Sequence, residues 1–297
     1  MINMNRRKTA KLFQIINSFA LVVIAALCFL PLWHIVSLSL SDKSAIAANQ
    51  VTLLPVGFQL SSYIHIMGDA SFMRAFLVST GRVVVGTFLS MLVLILAAYP
   101  LSMEKEKFFG RDVIMWILYI PTFFGGGLIP SYLLMSSLGL INNPWVLVIG
   151  SGLFSITGAI LLMNFFRNVP KSISEAAAID GAGHFQMLVR IFIPLSKACI
   201  STLVLFAVVG TWNEWFSGTI FLNDRKWYPL QTYLYGKLNT QIDFVNMTKE
   251  ELERVSQLSD RSLRAAQIIV STIPILILYP FVQKHFVGGI IVGSVKE

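Results

Sequence analysis

Apolar residues run through this chain in long blocks rather than in the short alternations of a soluble fold. Six blocks reach the roughly 20 residues that an α-helix needs to cross a bilayer core. They lie at about 13–40, 75–100, 113–135, 145–166, 198–222 and 266–287. The pattern predicts an all-α membrane protein with six transmembrane helices over residues 13–287. The first block follows Arg6, Arg7, Lys8 and Lys11, as a signal peptide would. Its apolar run outlasts the ~7–15 residues of a signal h-region, and no clean small-x-small cleavage site follows. It reads as a retained span.

Six spans put both termini on one side, and the distribution of basic residues selects that side. With residues 1–12 cytoplasmic, the inner segments hold 13 of the 23 Lys and Arg residues against six acids, so nearly all of the net charge of +8 lies on one face. The tail at 288–297 is cytoplasmic in the same scheme. Two outer segments are long, about 41–74 and 223–265. In the second, Thr248 and Glu251 have capping-box spacing. Leu252, Val255, Leu258 and Leu263 give the expected helix an apolar side, which suits either a lid on the span ends or a docking surface for an external partner.

Composition changes the picture only by exclusion. Of the 297 residues, 55% are hydrophobic and 13% are charged. That charge content is about half the ~25% of an ordinary soluble domain. A disordered chain, a secreted disulfide scaffold and a nucleic-acid binder are excluded, because membrane orientation explains the basic balance. Cys28 and Cys199 both lie in apolar runs without metal-ligand spacing, and His34, His65, His184 and His285 are scattered. No metal site is expected.

The inner segment 167–195 does not belong in a simple bundle. Pro170 stops the preceding span, Ser172 and Glu175 have capping-box spacing, and Glu175–Ala178 favours helix. Asp180-Gly181 signals a turn, and Gly183 loosens the chain again. A second amphipathic helix carries Phe185, Leu188 and Ile191 and is expected to end before Pro194. A first helix of about eight residues is unstable alone and must rest on something. It is either a cap under its own bundle or a plug for a groove on another subunit.

Glu175-Ala176-Ala177, then Gly181, then Ile191-x-x-Pro194 resembles the EAA loop of ABC importer permeases; Ile193 stands where the family pattern has leucine. The likeness covers roughly residues 15–296 and is to the carbohydrate-uptake branch, in the half similar to the smaller maltose-type permease subunit. Supporting stretches are Ala98-Tyr-Pro-Leu-Ser102, Gly126-Gly-Leu-Ile-Pro130, Gly139-Leu-Ile-Asn142, Trp212-Asn-Glu-Trp-Phe216, Tyr228-Pro-Leu-Gln231 and Tyr279-Pro-Phe281. Lys197-Ala198 and Gly288-Gly289 depart from the usual pattern, away from the coupling motif.

The resemblance implies a type I ABC importer permease fold in a bacterial plasma or inner membrane, in contact with lipid. It implies a second homologous permease subunit, two copies of a cytoplasmic ABC ATPase, and an extracytoplasmic solute-binding protein that delivers an oligosaccharide. Glu175, Ala176, Ala177, Asp180, Gly181, Ala182, Gly183 and Pro194 become the ATPase-coupling residues. No cofactor is expected on this chain. ATP and Mg belong to the ATPase partners, since no Gly-x-x-x-x-Gly-Lys-Ser/Thr run is present. Gly125-Gly-Gly127 has no lysine after it and reads as a backbone break.

Polar residues inside spans are expensive and mark function by default. Trp212, Asn213, Glu214 and Trp215 combine apolar faces with amide and carboxylate groups, as a sugar pathway needs; an interfacial aromatic belt with a snorkelling acid would show the same residues. On the pathway reading, substitution there affects transport more than folding. Arg82 can line the pathway, pair with Glu214, or snorkel outward. Asn164 reads as a helix-packing hydrogen bonder. No catalytic cluster is visible, so an intramembrane enzyme is disfavoured. An ion-gradient-driven secondary transporter would show paired repeats with broken helices at mid-membrane, and no repeat is visible in the sequence.

Overall fold

The computed structural model describes residues 2–106, 108–150, 152–239 and 260–294. Among these residues every regular element is helical. In chain order they are α1 (Ile2–Ser39), α2 (Lys43–Ala47), α3 (Ser61–Gly68), α4 (Ala70–Ser102), α5 (Arg111–Tyr119), α6 (Leu128–Ser137), α7 (Val146–Ile149), α8 (Ile156–Arg167) and α9 (Lys171–Ile179). Then follow α10 (His184–Leu195), α11 (Lys197–Asn213), α12 (Phe216–Phe221), α13 (Leu230–Asn239) and α14 (Asp260–Ser294).

Three helices, α1 from Lys11 onward, α4, and α14 over Arg261–Pro280, are each long and apolar enough to cross a bilayer. The blocks at 113–135, 145–166 and 198–222 are helical too, but each is broken. The first splits into α5 and α6 around the Gly125–Gly127 run, where Gly127 has φ 83°. The second splits into α7 and α8 around Gly152, at φ 134°. The third splits at Glu214 and Trp215, between α11 and α12. Glycine accounts for the first two breaks, because it enters positive φ without the Cβ clash that other residues meet. The third contains no glycine and is held by side chains.

The chain forms two compact units. One runs to Ala70 and includes the last helix as far as Ile273; the other holds the rest. In the first unit, the end of α1 is tied to the following loop. Trp33 Nε1 and Ser37 Oγ both donate to Leu53 O, at 2.7 and 2.8 Å. Ser62 and Ser262 Oγ atoms meet at 2.8 Å, joining α3 to α14. The helix expected to begin at Thr248 lies outside the described residues, while α13 stands in the same predicted outer segment and had no sequence signal.

The core of the second unit gathers around the C-terminal half of α4. Leu94, Ala98, Tyr99 and Leu101 pack with Leu162 and Phe166 of α8, Leu188 of α10, and Cys199 and Leu203 of α11. Gly158 allows that closeness, since a Cβ there would lie 2.8 Å from Leu94 Cδ1. Small residues serve close helix approach in the same way throughout membrane proteins.

Candidate functional site

The segment between α8 and α11 folds as a helix, a turn and a second helix. α9 starts at Lys171, with Pro170 just before it and no side-chain cap. The expected Ser172–Glu175 capping box is therefore not formed. The helix starts at Lys171 with Pro170 at its cap, two residues too early for Ser172 to stand there. The far end of α9 is closed by the glycine of the motif. Ala182 N donates to Ala177 O at 2.9 Å and Gly181 N donates to Ala178 O at 3.1 Å, with Gly181 at φ 82°. These bonds form a Schellman closure, whose left-handed residue favours glycine. No atom lies within 4 Å of a Cβ built on Gly181, so of the two reasons for glycine only the backbone one operates within this chain. Gly183 has φ −72° and starts α10.

α10 does not stop before Pro194. It passes through a π turn at Leu188–Phe192 and continues to Leu195, then bends by 81° into α11. A proline ring collides with the carbonyl four residues earlier in an α-helix, and the wider π turn relieves that contact.

α9 has no buried residue. Glu175, Ala176, Asp180 and Gly181 are exposed, with Ala177 and Ala182 half-buried. Ile179 is 87% exposed and Phe185 74%. Among the described residues nothing covers the apolar side of this nine-residue helix. The elements around it are instead tied to the end of α4. Arg167 Nη2 donates to Leu101 O at 3.1 Å. Lys171 forms an ion pair with Glu104, which holds the Lys171 ammonium above its ordinary range. Tyr99 Oη and His184 Nδ1 share a hydrogen bond of 3.2 Å, and the Tyr99 ring meets Phe192 edge-on at 5.1 Å.

The second cluster sits at the α11–α12 break. Of the three readings open for Arg82, the structure has the pairing with Glu214. Arg82 Nη2 donates to Glu214 Oε2 at 2.6 Å, Nη1 to Glu214 O at 3.2 Å, and Nε to Leu147 O of α7 at 3.3 Å. The other carboxylate oxygen, Oε1, accepts from Ser217 N at 2.7 Å. Glu214 thus caps the first turn of α12 while Arg82 satisfies the carbonyl left over where α11 ends. Asn213 is exposed. Trp212 is buried and meets Phe76 edge-on at 5.7 Å. Trp215 stacks on Tyr235 of α13 at 3.8 Å.

A cavity of about 470 Å³ opens in the same unit, lined by Gly86, Ser90, Ser155, Thr157, Gly210 and Thr211 together with apolar side chains such as Leu94 and Phe206. The α7–α8 break contributes Gly152, Phe154 and Ser155 to its wall. None of the five predicted pathway residues lines it; Thr211, beside Trp212, does. The cavity could not be found from sequence, because its lining is assembled from four helices and a helix break that lie far apart in the chain.

Residues 12–292 match the family described as the inner membrane component of binding-protein-dependent transport systems. The chain belongs to this family. A relative in Bacillus subtilis (strain 168), the polygalacturonan/rhamnogalacturonan transport system permease protein YtcP, is 33% identical over 96% of this chain and 99% of its own length. Protein LplC of the same organism is 32% identical over 99% of this chain and 98% of its own length. A solved bacterial ABC transporter, involved in the import of the acidic polysaccharide alginate, has a chain that is 31% identical, with a TM-score of 0.84. That match covers 93% of this permease and 97% of the neighbour. The chain is thus a multi-pass membrane permease with the ABC importer fold. Broken helices, which the rival reading required, occur here in an ABC-type permease and do not discriminate between the two.

Among the described residues no three His, Cys, Asp or Glu side chains gather as a metal site. Asn142 is a residue that sequence reasoning missed as a clamp. It sits at φ 60°, and its Oδ1 accepts from Asn223 N and Asp224 N at 3.1 and 2.9 Å. The tolerance of asparagine for left-handed turns was the available signal.

Proposed function

We propose that this chain is one six-span half of an ATP-driven importer that carries an oligosaccharide across a bacterial membrane, with both termini cytoplasmic. α5–α6, α7–α8 and α11–α12 each make one span, and of the three breaks the one between α7 and α8 faces the cavity. The α9–α10 element is the cytoplasmic coupling loop and seats in a cleft of the ATPase. Two ATPase copies supply ATP and Mg, a second permease completes the pathway, and an extracytoplasmic solute-binding protein delivers the sugar. The chain has no catalytic residue and binds no cofactor of its own.

The observation that carries this reading is the bare nine-residue α9, closed by Gly181 and leaving Ile179 uncovered by its own chain. Sugar polymers in the names of the relative and of the structural neighbour support an oligosaccharide cargo. The cavity, where Ser90, Ser155, Thr157 and Thr211 stand among apolar side chains, supports a passage beside the partner permease. An affinity tag on this chain, expressed with its neighbouring genes, should retrieve an ATPase and a second permease. Ile179→Asp should lower ATPase recovery by about tenfold, as removal of an apolar anchor does. Recovery of the chain alone, or undiminished recovery with Ile179→Asp, would count against the coupling reading. The cargo is identified by ligand-induced melting shifts of the cognate binding protein.

A further inference from the structure

The coupling reading leaves open how a movement at α9–α10 reaches the outer half of the membrane domain. α4 is bound at both ends. At its inner end three contacts converge from the segment around the coupling loop: Arg167 on Leu101 O, Lys171 on Glu104, and His184 on the Tyr99 hydroxyl. They come from the end of α8, the start of α9 and the start of α10, so they bracket the exposed docking helix. Farther along the same helix, Arg82 holds Glu214 at the α11–α12 break and Leu147 in α7. Ser79 Oγ, one turn beyond, accepts from Leu230 N at 2.7 Å at the start of α13. Trp212 lies edge-on to Phe76 in the same stretch.

The two grips are joined by unbroken helix. From Arg82 to Tyr99 is 17 residues, or roughly 25 Å at the α-helical rise. Over that stretch α7 is separated from α8 at Gly152, while α11 runs to Asn213 and breaks from α12 at Glu214, where Arg82 holds it. A broken helix absorbs displacement at its break, whereas a continuous one carries it along its axis. Pro100 sits in the last turn, beyond the Tyr99 grip but before Leu101 and Glu104, and Glu104 follows the end of the helix.

We infer that α4 is the transmission rod of this permease. Tyr99 and Glu104 are positioning residues that receive the movement of the coupling loop, and Arg82 is the positioning residue that delivers it to the broken helices α7 and α11–α12. The inference rests on the coupling reading of α9–α10.

The test uses the full complex in proteoliposomes, with ATPase attachment, ATP hydrolysis and sugar uptake measured on the same preparation. Tyr99→Phe removes one hydroxyl and leaves the ring contacts; Glu104→Gln removes the ion pair. Together they should leave attachment unchanged and lower uptake per ATP by about threefold to tenfold, the weight of one or two hydrogen bonds. Exchanging the charges with Glu104→Lys and Lys171→Glu should restore the ratio. Arg82→Lys keeps the charge, loses the fork, and should lower the same ratio. Sites this far apart normally contribute additively. On a shared rod, combining Arg82→Lys with Tyr99→Phe and Glu104→Gln should cost no more than the worse of the two alone. Additive losses would overturn the inference, as would an unchanged ratio in the inner variants. Loss of ATPase attachment in those variants would also overturn it, because the contacts would then only shape the docking helix. Failure of the wild-type chain to hold the ATPase would remove the coupling reading itself.

Discussion

Arg82 and Glu214 are 132 positions apart in sequence and meet through a 2.6 Å charge-assisted hydrogen bond. The arginine side chain is 3% exposed and the glutamate side chain 26%. Both residues spend their remaining capacity on backbone: Arg82 on the carbonyls of Leu147 and Glu214, Glu214 on the N–H of Ser217. The pair therefore closes a helix break that contains no glycine.

Removing one partner of a buried pair leaves the other uncompensated, at a cost of about 3 kcal/mol. Glu214→Ala should therefore lower the melting temperature of the purified complex in detergent. Glu214→Gln, which keeps an acceptor for Ser217 N, should lower it less. If both variants melt with wild type while transport falls, the carboxylate serves the pathway rather than the fold. Trp212→Ala belongs with the destabilising set: a buried tryptophan cut to alanine costs about 3–5 kcal/mol. The pathway reading of the sequence, open beside an interfacial aromatic belt, expects transport to suffer before folding at both residues, and the comparison of melting with uptake decides between them.

Gly218 marks the closest approach between α12 and α13. A Cβ there would stand 2.2 Å from Thr232 Oγ1 and 3.0 Å from Thr232 Cβ. The threonine has little freedom to yield, because its Oγ1 already donates to Trp215 O at 2.8 Å. Gly218→Ala should reduce folded yield and melting temperature, by about 1–3 kcal/mol as overpacking does. Gly218→Ala combined with Thr232→Ala, which removes the clashing oxygen, should recover part of the loss. Equal melting of Gly218→Ala and wild type would show that the two helices separate freely.

Gly181 is sensitive for a different reason. Space around it is open, and its φ of 82° is the constraint. Gly181→Val should misplace the end of α9 at a backbone cost of about 1–2 kcal/mol. That penalty leaves the membrane spans inserted but weakens ATPase attachment or uncouples hydrolysis from uptake. Gly181→Asn, whose side chain tolerates the left-handed region, should retain most of both activities. Equal defects in the two variants would mean that the partner contacts Gly181 directly and needs the missing side chain.

How far the fold was legible in sequence depended on the range of the signal. The apolar blocks gave the helical membrane class, and local chemistry gave the turn at Asp180–Gly181. Arg82 with Glu214 was foreseen as one of three options, because an intramembrane charge needs a partner. The breaks at Gly152 and Glu214 were not legible, since only long-range contacts decide where the backbone leaves the helix. The cavity and the α13 contact to Ser79 were hidden for the same reason. The Ser172 capping box failed because Pro170 started α9 first, a competition between two local signals.

The loop between α6 and α7 is tied to the chain after α12 by one residue. Asn142 N donates to Phe221 O at 2.8 Å, and its Oδ1 accepts the N–H groups of Asn223 and Asp224. Beneath these bonds, Val146 and Leu147 pack with Phe221 and Leu222, all four buried. Leu147 also supplies a carbonyl to Arg82, so the position of the loop bears on the break at Glu214. Asn142→Ala removes two acceptor contacts and the preference for positive φ. At about 1 kcal/mol for each hydrogen bond, the expected destabilisation is about 2 kcal/mol. Asn142→Asp keeps the acceptor and should lose less; Asn142→Gly keeps the backbone and loses the contacts, separating the two contributions. Melting of the three variants, read beside proteolysis of the loop at 138–145, checks the assignment. If alanine and aspartate behave alike, the side-chain oxygen is not what holds the loop.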